Sequence, residues 1–208
     1  MPETSPQHAP PDSTQVLFQA VATWNTPQRP AAQALIQPLL ILERQARLHR
    51  HALAPQDLQG TWRLVWITGT QKARRRLAPV LGAGRYLPKG LGITLTYDWT
   101  EAGTVANQVC LGPLSLTLSG PAKLVPPRPI LAFDFTQVTL AVAGRPLITR
   151  PLRGGPAATA SFYTQPVQKQ AFFVYFWVTP QAIAARGRGG GLALWVRQDP
   201  SPENPSGS

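Results

Sequence analysis

The side chains that most often do chemistry in enzymes are scarce in this sequence. Its three histidines, His8, His49 and His51, all lie within the first 51 of 208 residues. A nucleophile–histidine pair or a histidine-rich metal site would therefore need a side chain from that N-terminal segment. The one cysteine, Cys110, excludes an intrachain disulfide and a multi-cysteine zinc site. Its apolar neighbours predict a buried, unreactive thiol.

Carboxylates are almost as scarce as histidines. Between Thr61 and Gln198 the only acidic residues are Asp98, Glu101 and Asp134. They form no visible general acid/base pair, and single carboxylates are weak evidence for catalysis. We therefore expect a binding or interaction protein with no catalytic residues, no metal and no cofactor. An enzyme or lyase that acts on a bound isoprenoid or chromophore is the alternative.

The body of the chain is strongly basic. Because neither 1–13 nor 199–208 contains lysine or arginine, residues 14–198 carry 20 basic and 5 acidic side chains. That excess predicts association with anionic surfaces such as lipid headgroups, nucleic acid or acidic proteins. Arginine that serves only solubility is the plain alternative.

Cations and apolar side chains alternate in the segment Gln71–Leu91. In such a segment the cations can reach anionic headgroups while the apolar side chains enter the acyl boundary. We predict that it docks the protein on an anionic membrane, and the alternative is a solvated loop that caps the fold. The residues predicted to make this contact are Lys72, Arg74, Arg75, Arg76, Leu77, Leu81, Arg85, Tyr86, Leu87 and Lys89.

Hydrophobic periodicity predicts helices first and strands afterwards. Apolar residues at helical spacing predict helices over Thr14–Trp24 and Ala31–His51. From Gly60 the apolar period changes to two, which is typical of strands. The predicted strands are Thr61–Thr68, Gly92–Trp99, Thr104–Leu111, Leu114–Leu124, Ile130–Val142, Ala171–Val178 and Leu192–Gln198, with weaker candidates at Leu147–Arg150 and Ala158–Tyr163.

Many strands at short intervals predict a mainly β fold, an antiparallel barrel or sandwich preceded by N-terminal helices. The interior of a closed barrel of about eight strands is filled by side chains or holds one small apolar ligand. The predicted divisions are a disordered tail at 1–13, a helical segment at 14–52, the barrel at 53–198 and a second disordered tail at 199–208.

Aromatic and apolar residues of the predicted strands are candidates for the lining of that interior. Regular alternation puts Trp62, Leu64 and Trp66 on one face of the first strand, and Ala171–Val178 repeats the pattern. Asn107 lies mid-strand, where its amide needs a partner. For each aromatic residue, plain core packing is the alternative. The predicted lining residues are Trp62, Leu64, Trp66, Tyr97, Trp99, Asn107, Phe133, Phe135, Phe173, Tyr175 and Trp177.

Several stretches resemble motifs of the plastid-lipid-associated protein/fibrillin family. Leu58–Trp66 (LQGTWRLVW) resembles the family's L-x-G-x-W-x-L-x-[YW] opening, and Leu42-Glu43 resembles the Leu-Glu near the end of its second helix. Thr104–Val109 (TVANQV) resembles its [TR]-V-x-N-x-V strand. Trp177–Gly187, followed by Leu192–Arg197, resembles its closing Y-L-D-x-x-L-R-I-x-R-G motif and final strand. The order and spacing of these stretches carry the resemblance, which spans about residues 14–197.

The departures from the family pattern lie in the closing motif. Trp177-Val178-Thr179 stands where the family has Y-L-D, and Ile183 stands where it has its first arginine. Arg186 matches the second arginine, and the resemblance therefore adds it to the candidate ligand-lining residues.

The resemblance implies a lipocalin-like barrel that binds or carries an apolar isoprenoid or lipid, such as a carotenoid, quinone or fatty acid, at photosynthetic membranes. It implies a cytoplasmic protein, peripheral on the cytosolic face of the thylakoid or plasma membrane, with a photosynthetic protein complex as a further partner. The alternative is a basic scaffold or nucleic-acid-binding module whose barrel is filled by its own side chains. The interleaved leucines of Gln71–Leu91 count against nucleic acid.

Charge reversal at Arg74, Arg75 and Arg76 should abolish binding to anionic liposomes, because each cation near such a surface contributes about 1 kcal/mol. Co-sedimentation with vesicles that contain an anionic phospholipid measures the effect. Unchanged binding would show that the segment Gln71–Leu91 does not dock the protein.

Overall fold

An antiparallel sheet of eleven strands, preceded by helices, dominates the computed structural model, which describes residues 11–49, 52–69 and 84–198. The helices are α1 (Pro11–Thr23), α2 (Ile36–His49), α3 (Pro55–Leu58) and α4 (Pro156–Phe162), with 3-10 turns at Ala32–Leu35 and Val167–Lys169. The strands are β1 (Gly60–Ile67), β2 (Arg85–Tyr86), β3 (Leu91–Asp98), β4 (Thr104–Leu111), β5 (Leu114–Leu124), β6 (Ile130–Phe133), β7 (Gln137–Val142), β8 (Arg145–Pro151), β9 (Ala171–Val178), β10 (Ala182–Gly187) and β11 (Leu192–Arg197). None of the described helices is long and apolar enough to cross a bilayer.

Eight of these strands close into a barrel in which each pairs with the next barrel strand along the chain. The order is β1, β3, β4, β5, β6, β9, β10 and β11, and β11 pairs back with β1. This up-and-down connectivity is the architecture of lipocalins. It confirms the prediction of a mainly β, lipocalin-like antiparallel barrel preceded by N-terminal helices.

The lower end of the barrel, where β1 begins at Gly60, is filled by side chains. Trp62, Tyr97 and Tyr175 lie in its core and are almost completely buried. The indole Nε1 of Trp62 donates a hydrogen bond to the carbonyl of Leu58 in α3 at 2.8 Å. The Arg197 guanidinium lies 4.0 Å from the centroid of the Trp62 ring. Together these contacts close the floor of the barrel.

A β-bulge in β1 changes which face its last aromatic residue occupies. Leu64 pairs with Trp195 and Trp66 pairs with Leu194, so Val65 is an extra residue between them. An extra residue reverses the alternation of side chains beyond it. Trp66 therefore belongs with Leu194 to the cluster beneath the helices, whereas Leu64 packs against the interior cluster.

A second bulge has the same effect in β9. Tyr175 pairs with Ala185 and Trp177 pairs with Ala184, which leaves Phe176 as the extra residue. Trp177 and Ala184 both belong to the cluster beneath the helices, whereas Tyr175 and Ala185 belong to the interior cluster.

Trp66 and Trp177 consequently hold the helices against the barrel. The indole Nε1 of Trp66 donates a hydrogen bond to the Ala32 carbonyl at 3.0 Å. The ring of Trp177 meets that of Phe18 in α1 edge-on, with centroids 5.5 Å apart. The prediction that these two indoles line the interior is wrong, because the alternation of a regular strand reverses at each bulge.

An ion pair joins α2 to the outer wall of the barrel. The Glu43 carboxylate accepts hydrogen bonds from Nε and Nη2 of Arg186 in β10 at 2.6 and 2.5 Å, and from Nη2 of Arg47 at 2.9 Å. Burial alone would raise the pKa of the Glu43 carboxyl, but the hydrogen bonds and charges of Arg186 and Arg47 outweigh it and hold this pKa below its ordinary value. The prediction that Arg186 lines the interior is therefore wrong, since its side chain points outward to Glu43.

Other element predictions also differ from the structure. The predicted strand Ile130–Val142 is interrupted at Asp134, whose carboxylate accepts a hydrogen bond from the Phe135 amide at 2.8 Å. The predicted strand Ala158–Tyr163 lies instead in α4, which has a proline in its first turn. Helix α1 begins at Pro11, inside the predicted N-terminal tail.

Substitution of Arg186 by glutamine should lower the free energy of unfolding by about 2 kcal/mol at neutral pH, because a buried carboxylate loses two charge-assisted hydrogen bonds. Since folding lowers the pKa of Glu43, this stabilisation is present above the ordinary pKa and is lost as the pH falls through the folded value. Urea unfolding at neutral and acidic pH measures both effects.

The matched control is Arg153→Gln, which breaks the exposed ion pair with Asp134, whose nitrogen and oxygen lie 3.0 Å apart. It should cost less than about 1 kcal/mol. Equal losses in the two variants would contradict a special role for the Glu43–Arg186 pair.

Candidate ligand-binding site

Apolar side chains in the upper part of the barrel interior are partly exposed, whereas those of the floor are buried. Leu95 pairs with Trp62 and is 4% exposed. Ile93 and Val109 pair across β3 and β4 on the same face as Leu95, one step nearer the upper end, and both are partly exposed. Leu64 faces this space from β1 and is also partly exposed. Apolar side chains with uncovered surface therefore surround the upper interior.

The interior face continues beyond the barrel as an apolar sheet, because β7 and β8 extend the sheet from β5. Val109 pairs with Leu116, Leu116 with Leu140, and Leu140 with Ile148, so these side chains share one face. Leu116 and Ile148 are 43% and 51% exposed. We call this face the apolar extension; its members are Val109, Leu111, Leu114, Leu116, Leu118, Val138, Leu140, Val142 and Ile148.

The opposite face of the same strands is polar. Nε2 of Gln108 donates a hydrogen bond to Oγ1 of Thr117 at 3.2 Å, and the hydroxyls of Thr139 and Thr149 lie 3.2 Å apart. Along these strands apolar side chains therefore occupy one face and polar side chains the other. An exposed apolar face of this kind is typical of a surface that contacts an apolar partner.

Cations flank the apolar extension on β8. Arg145 and Arg150 are exposed near the two ends of this strand. Leu147 lies between them at the position where the register of β7 and β8 shifts, and it is 62% exposed. Basic and apolar side chains thus lie side by side next to the open end of the barrel, in a place that the sequence analysis did not select. The signal available in the sequence was Leu147-Ile148 bracketed by two arginines.

An amide and two phenol hydroxyls of the described residues face the interior. Asn107 shares the face of Leu95 and Leu118, with which it pairs. Its Oδ1 is buried, and no hydrogen-bond donor from the described residues reaches it. Lower in the barrel the hydroxyls of Tyr97 and Tyr175 lie 2.7 Å apart. Burial raises the pKa of both hydroxyls, which therefore stay neutral.

The predicted lining residues fall into two groups, one inside the barrel and one outside its wall. An aromatic cluster on the interior side contains Phe133, which lies 5.1 Å from Phe173 and 5.3 Å from Phe135 between ring centroids. Trp99, just after β3, packs against the same core, and its buried Nε1 has no acceptor among the described residues. The structure therefore brings together Trp62, Leu64, Tyr97, Trp99, Asn107, Phe133, Phe135, Phe173 and Tyr175, and it places Trp66, Trp177 and Arg186 outside.

One interior aromatic residue escaped the sequence analysis. Trp195 pairs with Leu64, and its ring lies 5.4 Å from that of Phe173. Its strand was predicted, but only the pairing of β11 with β1 shows which of its residues face inward.

The predicted docking segment is described only at its C-terminal end. Leu87 is 6% exposed, and its amide donates to the Val65 carbonyl at 2.9 Å. The prediction that Leu87 contacts a membrane is therefore wrong, because β2 ties it to the barrel wall. Arg85 and Lys89 are exposed, and Tyr86 is partly buried. The predicted docking residues Lys72, Arg74, Arg75, Arg76, Leu77 and Leu81 lie outside the described residues.

Comparison with known proteins finds solved structures that are similar to this chain in fold only. No family model matches the sequence, and no curated protein matches it. The chain is similar to a solved lipocalin-like protein from Bacteroides uniformis, with 11% identity and a TM-score of 0.36 over 68% of this chain and 99% of that one. It is also similar to a protein from Burkholderia xenovorans, with 16% identity and a TM-score of 0.35 over 71% and 88% of the two chains. A DUF3598-family protein of unknown function from Nostoc punctiforme shares 16% identity, with a TM-score of 0.29 over 72% and 51%. At such values nothing about ligand or partner carries over.

Substitution of Asn107 by leucine should raise the free energy of unfolding by about 1 kcal/mol, because a residue of similar size removes a buried oxygen that has no partner. Thermal or urea unfolding measures the change. Gln108→Leu, on the polar outer face, is the control and should give no such gain. Destabilisation by Asn107→Leu would show that the amide already has a partner in the protein.

Proposed function

We propose that this protein binds and carries an apolar isoprenoid or lipid molecule in the upper part of its barrel, without catalysing a reaction. The single observation that supports this most strongly is the contrast between the filled floor and the partly exposed apolar interior above it. A ligand that covers this surface gains about 25 cal/mol for each Å² of apolar area removed from water. Asn107 gives a ligand that carries a hydroxyl one polar contact, since its free oxygen can accept a hydrogen bond from that group.

The non-enzymatic part of the proposal rests on the chemistry of the interior. Its polar side chains among the described residues are an amide and two phenols whose pKa values burial raises. A phenol with a raised pKa is a poor general base at neutral pH. Within the described residues no group of three or more His, Cys, Asp or Glu is placed to hold a metal ion.

The proposal includes docking on an anionic membrane through the open end of the barrel. Exposed leucine and isoleucine side chains of the apolar extension can enter the acyl boundary while Arg145 and Arg150 remain at the headgroups. In that orientation the ligand passes between bilayer and barrel without crossing water. The predicted contact of Gln71–Leu91 with the same membrane belongs to this proposal.

The resemblance to the plastid-lipid-associated protein/fibrillin family supports the choice of ligand and place. We propose a carotenoid, quinone or fatty acid as the ligand, and the cytosolic face of a thylakoid or plasma membrane as the location. A photosynthetic protein complex is the further partner in this proposal.

Substitution of Leu118 by tryptophan should weaken binding of decylplastoquinone, a quinone with one apolar chain, by about tenfold or more, because the larger ring occupies the upper interior. Quenching of tryptophan fluorescence during titration measures the affinity. Thr117→Trp puts the same ring on the opposite face and is the control. Equal affinities in all three proteins would argue against a site in the barrel and in favour of a barrel filled by its own side chains.

Substitution of Ile148 by glutamate should weaken binding to anionic vesicles by about tenfold, because it removes an inserting side chain and adds repulsion. Thr149→Glu adds the same charge on the polar face and should have a much smaller effect. Vesicle co-sedimentation measures both. If the two substitutions weaken binding equally, net charge rather than the apolar extension governs attachment.

A further inference from the structure

A crevice lies on the outer wall of the barrel between α2 and β9. Strand β6 pairs with β9 only over Ala171–Val174. The remaining residues of β9 therefore have no paired strand on that side. Helix α2 lies over them and leaves a cavity of about 370 Å³. A second cavity of about 350 Å³ adjoins the first, and the two share Ala46, Pro129, Tyr175 and Phe176 in their walls. Together they form one elongated groove.

The walls of this groove are mostly apolar. Ile130, Val174 and Phe176 line it from the barrel side, and Ala46 lines it from α2. Phe176 and Val174 point outward because each neighbours the inward-facing Tyr175 in the strand. Phe176 thus supplies an aromatic side chain to both cavities.

Free cationic groups lie at one end of the groove. Arg186 uses each of its three nitrogens, with two hydrogen bonds to Glu43 and one to the Gly190 carbonyl at 2.6 Å. Arg47 gives only one of its N–H groups to Glu43, and its side chain is 72% exposed. The guanidinium of Arg128 is exposed and meets no hydrogen-bond acceptor among the described residues.

The two ends of the groove differ in charge. The three arginines at one end, Arg47, Arg128 and Arg186, face a single carboxylate, Glu43, so that end has an excess of positive charge. The other end carries Asp57. An elongated ligand with one anionic head is therefore held in a single orientation, with its head at the arginines.

We propose that this groove is a second ligand site, separate from the barrel interior, which binds the anion of a long-chain fatty acid. The carboxylate is bound by Arg128 and Arg47, because a guanidinium fork matches the two oxygens of a carboxylate. The chain lies along Phe176 and Ala46, where it covers apolar surface.

The site can be tested with cis-parinaric acid, a fluorescent polyene fatty acid, and with its uncharged methyl ester. Arg128→Glu should weaken binding of the acid by about tenfold or more, because a charge-assisted hydrogen bond becomes a repulsion. The ester should bind equally to both proteins. Arg150→Glu, on β8 outside the groove, makes the same change of net charge and is the control. Equal weakening by both substitutions would overturn the proposal.

Two blocking variants separate this site from the barrel. Ala46→Trp fills the groove and Leu118→Trp fills the upper interior. The proposal expects Ala46→Trp to abolish the binding of the acid that depends on Arg128, and it expects Leu118→Trp to leave that binding intact. The reverse result would place the fatty acid in the barrel, which overturns the groove site while supporting the carrier function. Displacement of the bound acid by phosphatidylglycerol vesicles but not by oleate would also overturn the proposal, because the site would then prefer a bilayer surface.

Discussion

Two β-bulges determine on which side of the barrel wall two large side chains, Trp66 and Trp177, lie. If β1 and β9 alternated regularly, the ring of Trp66 would point into the upper interior, and the ring of Trp177 would point into the lower interior beyond Tyr175. The extra residues Val65 and Phe176 turn both rings outward, beneath the helices. Both register shifts therefore turn rings toward the helices, and the one in β1 keeps the ring of Trp66 out of the upper interior. Because bulges are set by cross-strand pairing rather than by local preference, these orientations depend on how β1 pairs with β11 and how β9 pairs with β10.

The helical layer does more than cover the outer face of the barrel. Glu43 and Arg186 come from stretches 143 residues apart, yet they form the main polar contact between α2 and the sheet. This ion pair holds α2 over the part of β9 that has no pairing with β6. A groove remains at that place because a helix that lies over the sheet does not replace a neighbouring strand, which would pair about 4.8 Å away. The groove thus follows from the short pairing of β6 with β9, and the Glu43–Arg186 ion pair holds α2 beside it.

The apolar extension exists because β5 is longer than its pairing with β6. Strand β5 is long enough to pair with β6 near the floor and with β7 near the upper end. The sheet therefore continues past the barrel with its interior face uncovered. A soluble sheet normally pairs an apolar face with a core, and here leucine and isoleucine side chains stay in solvent beside arginines. The proposed contact with lipid would cover these side chains.

The sequence predicted much of the barrel but not its local reversals. Apolar alternation located most of the strands, and the filled floor around Trp62 follows from the position of this residue at the start of β1. Alternation failed at Trp66 and Trp177, since no residue in those strands marks a bulge. It also missed β10, where Ala182–Ala185 carries small side chains with weak periodicity. The outward direction of Arg186 and the inward direction of Trp195 required the pairing partners, which only the folded chain provides.

The central claim is that the upper interior holds an apolar molecule. An organic extract of the protein purified from its native host, examined by absorbance and mass spectrometry, tests this most directly. The account predicts one carotenoid, quinone or lipid in stoichiometric amount. An extract without any such molecule, from protein whose fold is intact, would contradict the carrier function and identify the barrel as a scaffold.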